Sequence, residues 1–221
     1  MKLRNIMAAG LITCAAALVG CGADKTEVME PVVEQVEVAQ TEQKTEAADD
    51  SQNLYERFLN DEIEAICINE DGSEWTFKYS ELPHDPEEWD SYFVSDEKAD
   101  LDNDGEDELI VTGPYGGMYL DERDDKVYVL AQGEGTAGEL SYVKYEGKTY
   151  IVHRDTSHGG RQIYILDCYN GKGEVEDSFT LSAEYWENEN DTYDENSDFT
   201  FRDEKISMDE FEKLRDEILG D

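Results

Sequence analysis

The sequence predicts an α+β domain, an antiparallel β-meander with a short helix at each end, preceded by a leader and a stalk. Three observations carry this expectation. Short apolar or alternating runs recur between residues 109 and 181 with polar turn residues between several of them, the pattern of sequential antiparallel pairing. Helical spacing of large apolar residues marks the two ends of the same stretch. The 13 Tyr, 7 Phe and 3 Trp all fall after residue 50, so the material for a core lies only there.

Residues 1–20 read as an export leader: basic Lys2 and Arg4, then a largely apolar run from Ile6 to Val19 with no acid. The run is too short and too small-residued to span a membrane comfortably. It ends in Leu18-Val19-Gly20-Cys21, which resembles the lipobox of bacterial lipoproteins. That resemblance implies cleavage before Cys21, acylation of its sulfur (palmitate and related chains) and tethering to the extracytoplasmic face of the cell membrane. Two or three acyl chains hold a protein stably where one does not, each buried methylene contributing about 0.8 kcal/mol.

From Gly22 to Asp50 the chain is rich in Glu, Thr, Gln, Val and Ala and has no aromatic residue. Such a segment buries too little to offset its ordering entropy, so residues 21–50 are expected to be the lipidated cysteine and a disordered acidic stalk. Residues 51–221 are expected to fold as one domain. Leu54, Phe58 and Leu59 share a side of a first helix that Ser51 is placed to cap. Ile63 to Asn69 and Ser73 to Tyr79 form a hairpin around Asp71-Gly72. After the proline-marked stretch Leu82 to Trp89 come seven strands: Leu109 to Thr112, Met118 to Leu120, Lys126 to Ala131, Leu140 to Tyr145, Thr149 to His153, Gln162 to Tyr169 and Val175 to Leu181. The capping box Ser207-Met208-Asp209-Glu210 starts a last helix with Met208, Phe211, Leu214 and Ile218 on one face.

The charge bounds the partners. With 56 Asp and Glu against 18 Lys and Arg, the formal net charge is −38. A chain so acidic repels phosphate backbones and gathers cations, which excludes nucleic-acid work. Of the four cysteines, Cys14 leaves with the leader and Cys21 takes the lipid. One bridge or two free thiols remain for Cys67 and Cys168, and their apolar, strand-like surroundings favour free thiols.

The segment Asp100-Leu101-Asp102-Asn103-Asp104-Gly105-Glu106-Asp107-Glu108 has the form of a calcium loop. Alternate residues of a tightly wound loop aim at one centre, and a calcium ion takes roughly 6–8 oxygens at about 2.3–2.6 Å. Glycine in the sixth place permits the sharp turn. On this reading Asp100, Asp102 and Asp104 supply carboxylates, Glu106 its backbone carbonyl, and Glu108 closes the site, while Asn103 and Asp107 point outward. An EF-hand needs a bidentate acid where Val111 stands, so that motif is disfavoured. The loop instead resembles those of FG-GAP or integrin-type propeller blades, in which Asp-x-Asp-x-Asp-Gly-x-x-Asp/Glu runs straight into a strand, here Leu109-Ile110-Val111. It occurs once, so no propeller is expected. Leader and loop together are similar to a family of lipoproteins of Gram-positive gut bacteria, a resemblance that implies an anchor and a structural calcium but no activity.

Two other constellations carry alternatives. His153, Asp155 and His158, with Arg161, Thr156 and Ser157, are the best candidates for an envelope hydrolase, although no nucleophile elbow or zinc-binding helix motif accompanies them. Tyr115, Tyr119, Trp186 and Tyr193 can stack on sugar rings, which would suit a carbohydrate-binding or adhesion module. The glycines from Gly113 to Gly138 lack the spacing and the lysine of a phosphate loop. The expectation is a non-catalytic surface lipoprotein whose partners are the membrane, through its lipid, and an extracellular glycan or protein. Cys21→Ser is expected to abolish incorporation of labelled palmitate and release the chain to the medium, whereas labelling that survives this substitution would remove the anchor.

Overall fold

A computed structural model describes residues 53–69 and 71–220. The leader, Cys21, the Gly22 to Asp50 segment and Ser51 lie outside the described residues. The first helix, α1 (Leu54–Leu59), is capped by Asn53, whose side chain accepts from the Tyr55 amide at 2.7 Å. Phe58 is fully buried and Leu54 nearly so, as their spacing requires.

Among the described residues twelve strands form two six-stranded sheets. The first contains β1 (Ala65–Ile68), β2 (Glu74–Phe77), β3 (Phe93–Val94), β4 (Leu109–Thr112), β5 (Met118–Arg123) and β6 (Lys126–Gln132), in the order β2-β1-β6-β5-β4-β3. The second contains β7 (Glu139–Tyr145), β8 (Lys148–Asp155), β9 (Arg161–Tyr169), β10 (Val175–Glu184), β11 (Asp198–Phe201) and β12 (Glu204–Lys205), each beside its sequence neighbour. The closing helix α2 (Met208–Leu219) starts at Ser207, whose hydroxyl accepts from the Glu210 amide at 3.3 Å.

The protein is therefore mostly β-sheet with few helices, and the single expected meander is two sheets. The second sheet is a complete antiparallel meander. In the first, the β1–β2 hairpin joins the sheet in parallel, through Ala65 opposite Val127 and Ile66 opposite Tyr128. The break between sheets falls in the glycine-bearing segment after β6, where the Gly133 amide donates to the Gly117 carbonyl at 2.8 Å, one step beyond the Met118–Gln132 pair and the last of the β5–β6 hairpin. Three strands that the sequence pattern passes over, β3, β11 and β12, are only two to four residues long.

Local chemistry explains the tight turns. Asp124 and Asp125 (φ 52° and 58°), Glu146 and Gly147 (50° and 82°) and Arg202 and Asp203 (50° and 63°) each place two left-handed residues between paired strands. That geometry matches the twist of the strands it joins.

Packing explains the strands' composition. Leu54 and Phe58 of α1 lie with Leu109, Val111, Leu120 and Val127 on one face of the first sheet. Its other face contributes Ile110, Tyr119 and Leu130 to a cluster with Leu140 and Ile151 of the second sheet and with Leu101. The far face of the second sheet, with Val152, Tyr164, Leu166 and Phe179, is covered by Phe211 and Ile218 of α2. The order is helix, sheet, sheet, helix. A sheet buried on both faces needs apolar residues at consecutive positions, hence Leu109-Ile110-Val111 and Tyr150-Ile151-Val152. Cys67 and Cys168 are buried free thiols on strands of different sheets.

One clasp fastens the β11–β12 turn to the second sheet. Arg202 donates to Asp177 through both terminal nitrogens, at 3.0 and 2.8 Å, and lies 4.1 Å from the Phe179 ring centre. The Tyr150 hydroxyl donates to the same carboxylate at 3.0 Å. Chiefly through the Arg202 bonds, the Asp177 carboxyl is pushed down to about 2. A lowered acid adds stability above its unfolded value near 3.8 and loses it as pH falls through about 2. Because the pair is partly exposed and screened, its contribution is about 1 kcal/mol. Asp177→Asn is expected to lower Tm by about 2–4 °C at pH 7, with the difference from wild type closing as pH falls toward 2; a difference that persists at pH 2 would show that the charge is not its source.

Candidate metal centre

The segment between β3 and β4 winds back on itself before entering the first sheet. Its turn uses two left-handed residues, Asn103 (φ 68°) and Gly105 (φ 98°), residue types that tolerate this region best. Asx-type bonds shape the loop: the Asp104 amide donates to Asp102 Oδ1 at 3.1 Å, Gly105 to Asp100 Oδ2 at 3.2 Å, and Glu106 to Asp104 Oδ1 at 2.7 Å. Glu108 Oε2 accepts from the Leu101 and Asp102 amides, which closes the ring.

Asp100, Asp102 and Glu108 bring one carboxylate oxygen each to within 4.8 Å of one another. Asp102 is fully buried and Glu108 is 2 % exposed. Asp100 Oδ1 and Asp102 Oδ2 are buried without a hydrogen-bond partner among the described residues. Buried polar atoms left unpaired cost about 1–3 kcal/mol each, more when charged. Unpaired carboxylate oxygens converging on one point fit a hard cation, since the donors are oxygens alone and a positive charge offsets their repulsion. The cluster identifies a place that can hold a metal ion, without fixing which one.

The remaining loop residues divide. The carboxylates of Asp104 and Glu106 stand outside the three-acid group and are more exposed. Asn103, expected to point outward, turns inward instead. Its Nδ2 donates to the Thr149 carbonyl at 3.1 Å and the Tyr169 carbonyl at 3.2 Å, and its Oδ1 accepts from the Thr149 amide at 2.8 Å. The left-handed backbone at Asn103 carries the side chain off the loop and onto the ends of β8 and β9. Asp104 packs on Gly171, where an added Cβ would come within 2.7 Å of the Asp104 Cβ.

Asp121 is a member of the neighbourhood that sequence reasoning missed. It is 2 % exposed, is paired with Arg123, and follows Leu120, which stands opposite Leu109. Its only sequence signal is an acid ending the apolar run Met118-Tyr119-Leu120.

Burial raises the acids of this site. Asp102 is pushed up to about 6 by burial and then by the charges of Asp104 and Asp121. Glu108 is pushed up to about 8 by burial above all, against the lowering effect of the Leu101 amide.

The other candidates separate. Asp155, 4 % exposed, accepts from His158 Nδ1 at 2.6 Å and pairs with Arg161. His153 instead lines a cleft with Cys67, Val129, Glu134 and Tyr169, and Asp155 and His158 are not among the residues of that cleft. The three do not converge in that cavity. Of the aromatic residues, Tyr119 is buried and Tyr193 packs edge-on against Tyr185, Phe199 and Phe211. Trp186 and Tyr115 are exposed; the Tyr115 ring centre lies 6.0 Å from that of Trp89, also exposed. Among the described residues no helix is long and apolar enough to cross a membrane.

No family model, curated protein or solved structure matches the chain.

The raised acids fix the sign of a pH dependence. A carboxyl with a raised folded value favours the native state while protonated and opposes it once ionised. In chelator, stability is therefore expected to fall as pH rises from about 4.5 to about 8, the window set by Glu108. Glu108→Gln is expected to flatten the fall and to raise stability at pH 8 by on the order of 2 kcal/mol. Thermal melting in chelator across that range checks both; a flat wild-type profile would show that the carboxyls are not held in apolar surroundings.

Proposed function

We propose that the chain is a lipid-anchored extracytoplasmic protein whose β-domain is fastened by a structural calcium ion and has a binding, non-catalytic role. The observation that carries the metal is the pair of buried, unpartnered oxygens on Asp100 and Asp102, gathered with Glu108. A calcium ion there takes carboxylates from Asp100, Asp102 and Glu108, draws in Asp104, and uses the Glu106 carbonyl. The anchor rests on the order of basic start, apolar run and Leu18-Val19-Gly20-Cys21. Outside the cytoplasm calcium is plentiful, so even a weak loop fills.

A structural role follows from burial. Asp102 and Glu108, two of the three acids gathered there, are almost wholly buried and held by the loop's own amides, which suits an ion that fixes the loop more than one that serves a reaction. The ion's contribution is mass action on folding, about 2.7 kcal/mol at a hundredfold excess over Kd.

Calcium at that excess is expected to raise Tm by about 5–10 °C at neutral pH, with magnesium giving less. Asp102→Ala, alone or with Asp104→Ala, is expected to remove the shift. No shift in the wild type, or an equal shift in the variant, would overturn the metal.

A further inference from the structure

A cleft of about 450 Å³ opens on the far face of the second sheet, where β7, β8 and β9 run past the last turns of α2. Its wall carries two arginines, Arg154 of β8 and Arg215 of α2. None of its ten lining residues is acidic. In a chain with 56 acids against 18 Lys and Arg, such a wall stands out, and the carboxylates that pair with the two arginines, Glu139 and Asp216, lie outside it. The contrast with the cleft beside the metal loop, lined by Asp104, Glu106, Asp107, Glu108 and Glu122, is complete.

Both guanidinium groups are positioned from outside the cleft. Arg154 Nε donates to Glu139 at 2.8 Å. Arg215 donates to the Tyr193 hydroxyl at 2.9 Å and to Asp216 at 3.2 Å. Such supports fix a planar fork before a ligand arrives, which lowers the entropy lost on binding. Ser141, Thr156 and Gln162 add neutral donors and acceptors to the wall, and Val143, Val152 and Leu219 an apolar patch. A few convergent polar groups on a partly apolar wall, in a volume of this size, are the usual form of a small-molecule site.

We propose that this cleft binds a small molecule bearing a carboxylate together with hydroxyl or amide groups. A carboxylate matches the guanidinium fork in charge and in plane. The hydroxyl or amide groups meet Ser141, Thr156 and Gln162, and a short apolar portion lies on Val143 and Val152. An acidic sugar and an acylated amino acid share this chemistry. The site is independent of the metal loop, so failure of one leaves the other standing.

The test is titration of the full chain in detergent, followed calorimetrically, with glucuronate and N-acetylalanine against their uncharged amides. At least one acid is expected to bind and the amides not, the tighter acid naming the source. Arg154→Gln, at an exposed position on β8, is expected to weaken binding at least about tenfold, with Arg154→Lys between. Arg215→Gln is expected to act in the same direction, with melting curves to show that α2 remains docked. No binding by either acid, equal binding of acid and amide, or full affinity in Arg154→Gln would overturn the proposal.

Discussion

Everything around the acidic loop depends on its being held by both sheets at once. Leu101 is buried in the cluster between the sheets, Glu108 runs directly into β4 of the first, and the Asn103 amide bonds to the ends of β8 and β9 of the second. Three hydrogen bonds from one side chain to backbone leave the loop little freedom relative to the second sheet. They also satisfy the Thr149 and Tyr169 groups at strand ends, which would otherwise need water or another partner. The loop is thus a fastening between layers, and two of its acids, Asp102 and Glu108, are buried within it.

That burial creates an electrostatic conflict. Asp102 and Glu108 are buried beside Asp100, Asp104 and Asp121, and among the described residues Asp121 alone of these neighbours is paired with a base, Arg123. Two resolutions exist, protonation or a cation. Protonation follows from the raised acids and is open to a chain without metal; a divalent ion removes the conflict at neutral pH while leaving the Asx-type bonds in place. The two differ in how stability answers to pH.

How much of this was legible follows from the range of each cause. Local causes were readable: the Ser207 cap, the apolar face of α2, the paired turns at Asp124-Asp125 and Glu146-Gly147, and the order of β7 to β10. The three acids that the loop gathers, Asp100, Asp102 and Glu108, stand at places that alternate coordination predicts. Long-range causes were not. The parallel joining of β1 to β6 rests on two residue pairs about 60 positions apart, as the numbers Ala65 and Val127 show, and has no local mark. Alternation along β4 and β8 disappears because both faces are buried, so the pattern gives a strand without saying that there are two sheets. Asn103 was assigned to solvent because loop spacing alone puts it there; its inward turn depends on carbonyls 46 and 66 residues away.

The strand β8 runs between the acidic loop and the arginine-lined cleft. At one end Thr149 exchanges bonds with Asn103, and at the other Arg154 enters the wall of the cleft. Five residues of extended chain separate them, roughly 17 Å. Between these ends Ile151 and Val152 are fully buried on opposite faces and Tyr150 holds Asp177, so β8 is gripped along its length. The acidic loop is bonded to the ends of β8 and β9 of the second sheet, and that same sheet supplies β7, β8 and β9 as the floor of the cleft. The division of charge follows the same logic: carboxylates concentrate where a cation can be enclosed, and the cleft lined without them is left to the arginines.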